Sequence, residues 1–400
     1  MARIVLRARK DKLIRQGYPW IFANLIDRVE GDPATGDVVQ IAGADGHVYG
    51  QGFYHADSLI AVRFLTSDPD RPIDDAFFRA RLERAFRLRE TVFGETTHYR
   101  LVYSESDGLP GTIVDRYGSV LTWTSVCAGM EHRRERLLDL LEDLVRPRAI
   151  VERNDSWLRE KDGLAESTGV LRGTCDAPVE IDEDGVRFAV DVLEGPKTGF
   201  FIDQRLHRQM VRRVAAGRRV LDVFCADGGF GLHAAAGGAA SVHFLDVSGR
   251  ALERVRHNAA LNGVADRCSV EQANALDRLG DYVAEGRTYD LVVLDPPGFA
   301  RQRREVDDAT RAYQRINITG LQLLPPGGLL ATASCSQAVS EEAFLKIIRY
   351  SARKAGARLR LLYRGGHPPD HPVLDAMPET AYLKFFLFEK LDDEAPGDGF

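Results

Sequence analysis

The 400-residue chain has no uninterrupted apolar run of about eighteen residues, the length a membrane helix needs. Its opening, MARIVLRARKDK, returns to charge before a signal-peptide core can form, so a cytoplasmic location and no membrane association are expected. Cysteine is scarce and scattered: Cys127, Cys175, Cys225, Cys268 and Cys335 form no CxxC pair and no Cys/His cluster. That spacing argues against a disulfide framework and against zinc or iron–sulfur sites, so no metal is expected. The dinucleotide fingerprint GxGxxG is missing, which leaves a nicotinamide oxidoreductase the poorest fit. A positive excess is missing too, since 53 Lys and Arg face 59 Asp and Glu. Net charge therefore does not advertise a nucleic-acid binder.

Its distribution says more. Arg3, Arg7, Arg9, Lys10, Lys12 and Arg15 crowd the first fifteen residues against one acid, Asp11. Such a patch can neutralise phosphates on an acidic molecule, although on charge alone a solvated, mixed surface is the favoured reading. Arg7, Lys10, Lys12 and Arg15 are the candidate RNA contacts.

The length predicts two or three domains. Residues 1–68 read as short alternating strands with glycine turns (RIVLRAR, DVVQIAG, HVYGQGFY, LIAVRFL), which suggests a small β-barrel. Trp20 and Phe22 are read as barrel core rather than as base-stacking rings. After the linker DPDRP, residues 73–190 mix helices (DDAFFRARLERAFRLRE, ERLLDLLEDLV) with strands (TIVDRY, VLTWTSV, AIVERN), an α+β domain with no catalytic constellation. Residues 191–400 change pattern: short buried strands (RRVLDVF, SVHFLDV, YDLVVLD, GGLLATAS) alternate with helices. That alternation predicts an α/β, Rossmann-like open sheet, mostly parallel, with ligands bound beyond the carboxyl ends of its strands.

Polar groups fall at those ends in order. The first strand runs through Asp222 and Phe224 into Ala226, Asp227, Gly228 and Gly229, where glycines admit a ligand close to the backbone. Acids here repel a pyrophosphate and suit the ammonium group of a methionine moiety. The second strand ends at Asp246-Val247, placed for a ribose diol. The third ends near Asn274, whose carbonyl oxygen is expected to accept from an adenine amino group. The fourth ends in Asp295-Pro296-Pro297-Gly298-Phe299.

Together with Gly195-Pro196-Lys197-Thr198-Gly199-Phe200-Phe201-Ile202-Asp203-Gln204-Arg205, the stretches VLDVFCADGGF, LDPPGFA, Ser334-Cys335-Ser336, DHPV (370–373) and PETAYLKFF (378–386) resemble the bacterial large-subunit ribosomal RNA cytosine-C5 methyltransferases. The resemblance covers nearly the whole chain and implies a class I fold, S-adenosyl-L-methionine as cofactor, an N-terminal PUA domain and ribosomal RNA as partner, and it leaves room for a homodimer. It implies that Thr198, Phe201 and Asp203 lie over the cofactor. Two positions depart from the family: Ala226-Asp227 replaces an aromatic and a hydroxyl residue, and Asn274 replaces a common Asp.

Cytosine C5 needs activation before it accepts a methyl group, and a thiolate adding to C6 provides it. By residue type alone Cys335 reads as a buried thiol ending a strand. Its place after the strand that follows the DPP motif, and the family's SCS, make it the expected nucleophile, with Cys225 in the turn by the cofactor instead. Asp295 is expected beside the target ring, hydrogen-bonded to N3 and the exocyclic amine. His371 is expected to position a loop rather than to act as a base. The rivals are a base-nitrogen methyltransferase of the same fold, whose Asp-Pro-Pro-aromatic loop is disfavoured by Gly298, and a non-catalytic RNA-binding or ribosome assembly protein.

Overall fold

The computed structural model describes residues 1–156, 158–300 and 303–392. The chain forms two compact units. The first takes Met1–Ile181, Val190–Ile202 and Pro369–Thr380; the second takes Asp182–Ala189, Asp203–Pro368 and the chain from Ala381. The segment GPKTGFFIDQR is thus divided after Ile202, and 190–202 and 369–380 pack with the first unit rather than with the strand-helix repeat that surrounds them in sequence.

Polar ties explain that assignment. Arg100 and Asp115 form a buried two-point ion pair at 2.8 and 2.9 Å. Thr198 donates to the same carboxylate at 2.6 Å, and Asp370 accepts from the Arg100 backbone amide at 2.9 Å. His371 is buried, 3.0 Å from Asp370 and beside the Tyr103 ring. It holds a loop, as expected, in a network that water does not reach.

Two sheets build the first unit. A six-stranded sheet has the order Trp20–Phe22, Ile60–Thr66, Val48–Tyr54, Val38–Ala42, Arg3–Leu6, Ile26–Glu30. Alternation buries Ile4, Leu6, Val39, Ile41 and Val62 on one face. Strands Trp20–Phe22 and Ile26–Glu30 lack that alternation and were not legible in the sequence. Trp20 is half-buried rather than core: its indole donates to Glu105 at 2.7 Å and Arg63 lies over its ring. A five-stranded sheet follows, ordered Ser167–Gly173, Ala149–Asn154, Val120–Ser125, Thr112–Tyr117, His98–Tyr103. Helices Asp75–Phe93 and Arg134–Val145 cover it with Phe77, Phe78, Leu82, Leu137 and Leu141. Asp74 caps the first of these helices, accepting from Phe77 N at 3.0 Å.

The second unit is a seven-stranded sheet, numbered here within that unit: β1 Arg219–Val223, β2 Ser241–Asp246, β3 Cys268–Gln272, β4 Leu291–Leu294, β5 Leu329–Ser334, β6 Arg358–Gly365 and β7 Lys384–Leu391. Their order is β3-β2-β1-β4-β5-β7-β6. All neighbours from β3 to β5 run parallel, while β7 enters antiparallel to both β5 and β6. Helices α1 Arg205–Val214, α2 Gly229–Ala236, α3 Gly249–Leu261, α4 Ala275–Ala284, α5 Val306–Gln322 and α6 Glu341–Lys354 complete the unit. The apolar cores of β1, β4 and β5 (Leu221, Val223, Val292, Leu294, Leu330) meet Tyr313, Ile316, Phe344 and Ile348 of α5 and α6. The strand order reverses between β1 and β4, which is where open α/β sheets bind ligands. Among the described residues no helix is long and apolar enough to cross a membrane, and no cluster of His, Cys, Asp or Glu is placed to hold a metal.

Candidate functional site

The loop leaving β1 is held open by backbone conformation. Phe224 and Ala226 have φ of 61° and 46°, and Gly228 has φ of 81°. Left-handed conformations at two non-glycine residues in one short turn carry strain, and such strain concentrates at functional sites. Three contacts hold it. Asp246 accepts from Ala226 N at 3.1 Å and from Ser248 N at 2.9 Å, so the end of β2 grips the end of β1. Asp222 accepts from Gly231 N at 2.8 Å, inside the first turn of α2. Gly231 itself has no room for a side chain, because a Cβ there would collide with the Phe244 ring on β2. The loop glycines need their smallness for other neighbours: a Cβ on Gly229 would sit 3.0 Å from Arg208 Cδ. Arg208 in turn makes a buried two-point pair with Glu183, at 2.5 and 2.8 Å, and Glu183 also meets His233.

Two further strand ends lie side by side. β4 and β5 are parallel neighbours with Leu294 opposite Thr332, so Asp295 and Cys335 leave adjacent strands at the same edge. The loops that follow are in contact: a Cβ on Gly298 would lie 3.5 Å from Cys335 Sγ. Ala300 N donates to Ser336 Oγ at 3.2 Å and fastens one loop to the other. The two serines of Ser334-Cys335-Ser336 share one buried partner. Ser334 donates to the Tyr313 hydroxyl at 2.9 Å, and that hydroxyl lies 3.0 Å from Ser336 Oγ. Cys335 is partly exposed, whereas burial pushes the Cys225 thiol well above its ordinary range and that of Cys268 to about 11.

Asp295 is oriented from α1. Gln204 donates through Nε2 to Asp295 Oδ1 at 2.9 Å, and its carbonyl oxygen is 2.5 Å from His207 Nδ1. His207 is buried and stacked on Phe385 at 4.2 Å, and desolvation pushes its pKa down to about 3. A neutral imidazole facing a carbonyl must carry its proton on that nitrogen. The Gln204 amide thus accepts from His207 through its oxygen and supplies an N–H to Asp295. Asp203, next in sequence to Gln204, accepts from the Tyr382 hydroxyl at 2.6 Å.

A family model described as S-adenosylmethionine-dependent methyltransferase matches residues 159–389, and one described as a PUA-like domain matches residues 4–67. The chain belongs to the S-adenosylmethionine-dependent methyltransferase family. It is similar over nearly its full length to proteins named ribosomal RNA large subunit methyltransferase I. The one from Shewanella amazonensis is 42% identical over 386 residues, covering 96% of this chain and 98% of that protein. The one from Aeromonas salmonicida is 40% identical over 384 residues, covering 95% and 97%. Among solved structures, a protein described as a SAM-dependent methyltransferase from Streptococcus mutans superposes with a TM-score of 0.83 at 19% identity, over 97% of this chain and all of that one. A methyltransferase complexed with SAH gives 0.84 at 20% identity, over 97% and 100%. At those identities the likeness is one of fold.

The methyltransferase carries residues that fit its cofactor, with changes from the expected contacts. Asp246 is partly exposed at the end of β2, and each of its oxygens accepts from one backbone amide. Val247 beside it is exposed, and Phe224 is half-buried across from Phe299. Asp227 does not put its charge into the loop, because it turns back to an ion pair with Arg254 on α3. Asp222 differs from expectation. It has no exposed surface, burial pushes its pKa up to about 8, and its second oxygen has no hydrogen-bond partner among the described residues. It braces the glycine loop rather than presenting a carboxylate. Asn274 differs as well: its Oδ1 caps α4, accepting from Leu276 N at 3.0 Å, so that oxygen is already engaged. Thr198 and Phe201 belong to the first unit. There the Thr198 hydroxyl is buried against Asp115 and Tyr117, while Phe201 is half-buried beneath Lys197. Gln204, His207, Arg208, Tyr313 and Lys384 were missed as site residues. A signal existed for the first two, since Gln204 and His207 stand three apart at the start of a helix and so share a face.

Proposed function

We propose that this methyltransferase forms 5-methylcytosine in large-subunit ribosomal RNA, with Cys335 as nucleophile and Asp295 as the group that holds the base. The packing of Gly298 against Cys335 Sγ carries the reading, because it brings the Asp-Pro-Pro loop and the thiol to one place. The relatives' printed names support the RNA substrate, and such a substrate suits a cytoplasmic protein.

The chemistry follows from the two side chains. The Cys335 thiolate adds to C6 of the cytosine, and the electron pair of the C5–C6 bond becomes available at C5. Asp295 hydrogen-bonds the pyrimidine edge as charge builds on the ring. Because Gln204 donates to Oδ1, a proton passed to N3 rides on Oδ2. When bound, S-adenosylmethionine supplies the electrophilic methyl group that C5 takes up. Loss of the C5 proton then expels the thiolate and restores the aromatic ring. On the cofactor side, Asp246 receives the ribose hydroxyls. Asn274, its oxygen engaged as a cap, offers Nδ2 as a donor to an adenine ring nitrogen instead of accepting from the amino group. Asp203 is read as supporting that site, and the roles that the resemblance implies for Thr198 and Phe201 remain proposals from the sequence alone. Arg7, Lys10, Lys12 and Arg15 are all exposed, with Arg15 already paired to Asp11, and they are read as phosphate contacts that add affinity without sequence reading.

A base-nitrogen reaction needs an aromatic after the prolines to stack on the target amine. Gly298 occupies that position, and Phe299 packs edge-on against Tyr313 at 4.8 Å. The deciding experiment incubates labelled S-adenosylmethionine with large-subunit RNA from cells lacking this protein, using wild type and Cys335→Ala, and resolves the digested nucleosides. Label is expected in 5-methylcytidine, with Cys335→Ala down roughly a thousand-fold or more, the scale of losing a nucleophile. Label in a methylated purine that survives the substitution would retire the C5 reading.

A further inference from the structure

Lys384 opens β7 directly opposite Ser334 in the antiparallel ladder, so it starts beside the segment that carries Cys335. The residue is 5% exposed. Its Nζ reaches across to Ser336 O at 2.6 Å and back to Tyr382 O at 2.8 Å, so one of its donors ties it to the residue that follows Cys335 while another holds it to its own segment. A buried ammonium with only neutral partners is a costly way to begin a strand, and a methionine would fill the same space. Burial pushes Lys384 down to about 8, and the groups that pull it back up are Cys335 and, after it, Glu341. Among the described residues, few charged and titratable groups face this corner. Glu341 at the start of α6 is already paired with Arg364 on β6 at 2.5 Å, and the Tyr313 phenol is held neutral by burial. Tyr382 gives its hydroxyl to Asp203.

We propose that Lys384 is the counter-charge of the Cys335 thiolate: its ammonium, fixed across the strand end, favours loss of the thiol proton so that the sulfur meets C6 as an anion. The inference rests on the nucleophilic role proposed for Cys335. The proton passes to water, the lysine keeps its own three, no electrons are transferred, and the same thiolate returns when the adduct eliminates. Lys384 touches no reacting atom of the base and acts through the sulfur, as a positioning residue. Its counter-charge is present below about pH 8 and is lost above it, because that is where the ammonium gives up its proton.

The test reads the thiol rather than turnover. Full-length protein without RNA is exposed to iodoacetamide from pH 5.5 to 9.5, values chosen to bracket ordinary and lowered thiols at roughly 8.5 and 7. Alkylation of the Cys335 peptide is followed by mass spectrometry, with the Cys225 and Cys268 peptides as slow internal references. Wild-type Cys335 is expected to titrate at or below about pH 7.5. Lys384→Met should raise that inflection by about one unit or more and slow alkylation at neutral pH roughly ten-fold, while Lys384→Arg keeps it low. A wild-type inflection near 8.5 or above overturns the inference without any variant, which matters if Lys384→Met does not fold. An inflection unmoved in a folded Lys384→Met overturns it as well. Failure of the underlying reading looks different: Cys335→Ala would still methylate RNA, wherever the thiol titrates.

Discussion

At the scale of single residues, the candidate site is governed by groups that orient Asp295 and Cys335, the two residues proposed to react. Gln204 is the clearest case, since its amide bridges a neutral, buried His207 and one oxygen of Asp295. Gln204→Ala is expected to lower kcat by roughly ten- to a hundred-fold with little change in KM for RNA, the size of effect that slight misplacement of a catalytic group produces. Steady-state methylation with saturating cofactor checks it, and a loss confined to KM would remove Gln204 from the positioning role. Asn274 shows the opposite. Its side chain caps α4, whose first turn also carries the acid Asp277. Asn274→Ala should cost about 1 kcal/mol of stability. Asn274→Asp should keep the cap, and the paired thermal melts decide between them.

At the scale of elements, two close approaches define the site. α2 lies so near β2 that only glycine fits at 231, and its first turn is tied to β1 through Asp222. Gly231→Ala pushes a methyl into the Phe244 ring, so a loss of roughly 1–3 kcal/mol from overpacking is expected. The same shift should weaken SAH binding, because it moves the loop that Asp246 grips. Calorimetry showing unchanged SAH affinity in a destabilised Gly231→Ala would separate the loop from the cofactor. The second approach is the clamp of α5 on the cysteine loop. Tyr313→Phe leaves Ser334 without its acceptor in a buried place, at a cost of about 1–3 kcal/mol. The Cys335 loop should then exchange its amide hydrogens faster than in wild type, while β5 does not.

At the scale of the molecule, two buried titratable groups give the second unit an opposing response to pH. The His207 pKa is about 3 folded against roughly 6.5 unfolded, so below 6.5 the unfolded chain binds a proton that the folded one refuses. That contribution to stability is lost as pH falls, with a limiting slope of about 1.4 kcal/mol per pH unit. Asp222 works the other way. It is raised to about 8 from an unfolded value near 3.8, so stability is lost as pH rises between the two. From about pH 4 to 6.5 the two slopes oppose one another. His207→Gln should expose a stability that declines with pH across this window, and Asp222→Asn one that rises. Trp20 and Trp123 lie in the first unit and do not report on the second, so hydrogen exchange in β1 and β4 is the suitable readout. Parallel pH profiles in both variants and wild type would show that neither group is held as described.

The sequence by itself determined the architecture of the methyltransferase sheet, because strand-helix alternation and buried apolar runs leave few other solutions. It also placed Asp222, Asp246, Asp295 and Cys335 at or near strand ends, since residues in and just after a buried strand follow from local pattern alone. What it did not determine is which way those groups face. Asp222 turned inward to an amide on α2, and Asn274 spent its oxygen on a cap, because unpaired backbone groups compete for the same acceptors that a ligand would use. The partners of Asp295 and Cys335 were decided only by tertiary structure. Gln204 and Asp295 are far apart in the chain, and Lys384 faces Ser334 only because β7 enters the sheet antiparallel beside β5. A long-range pairing of that kind is set by packing of the whole unit, and no local pattern of residues records it.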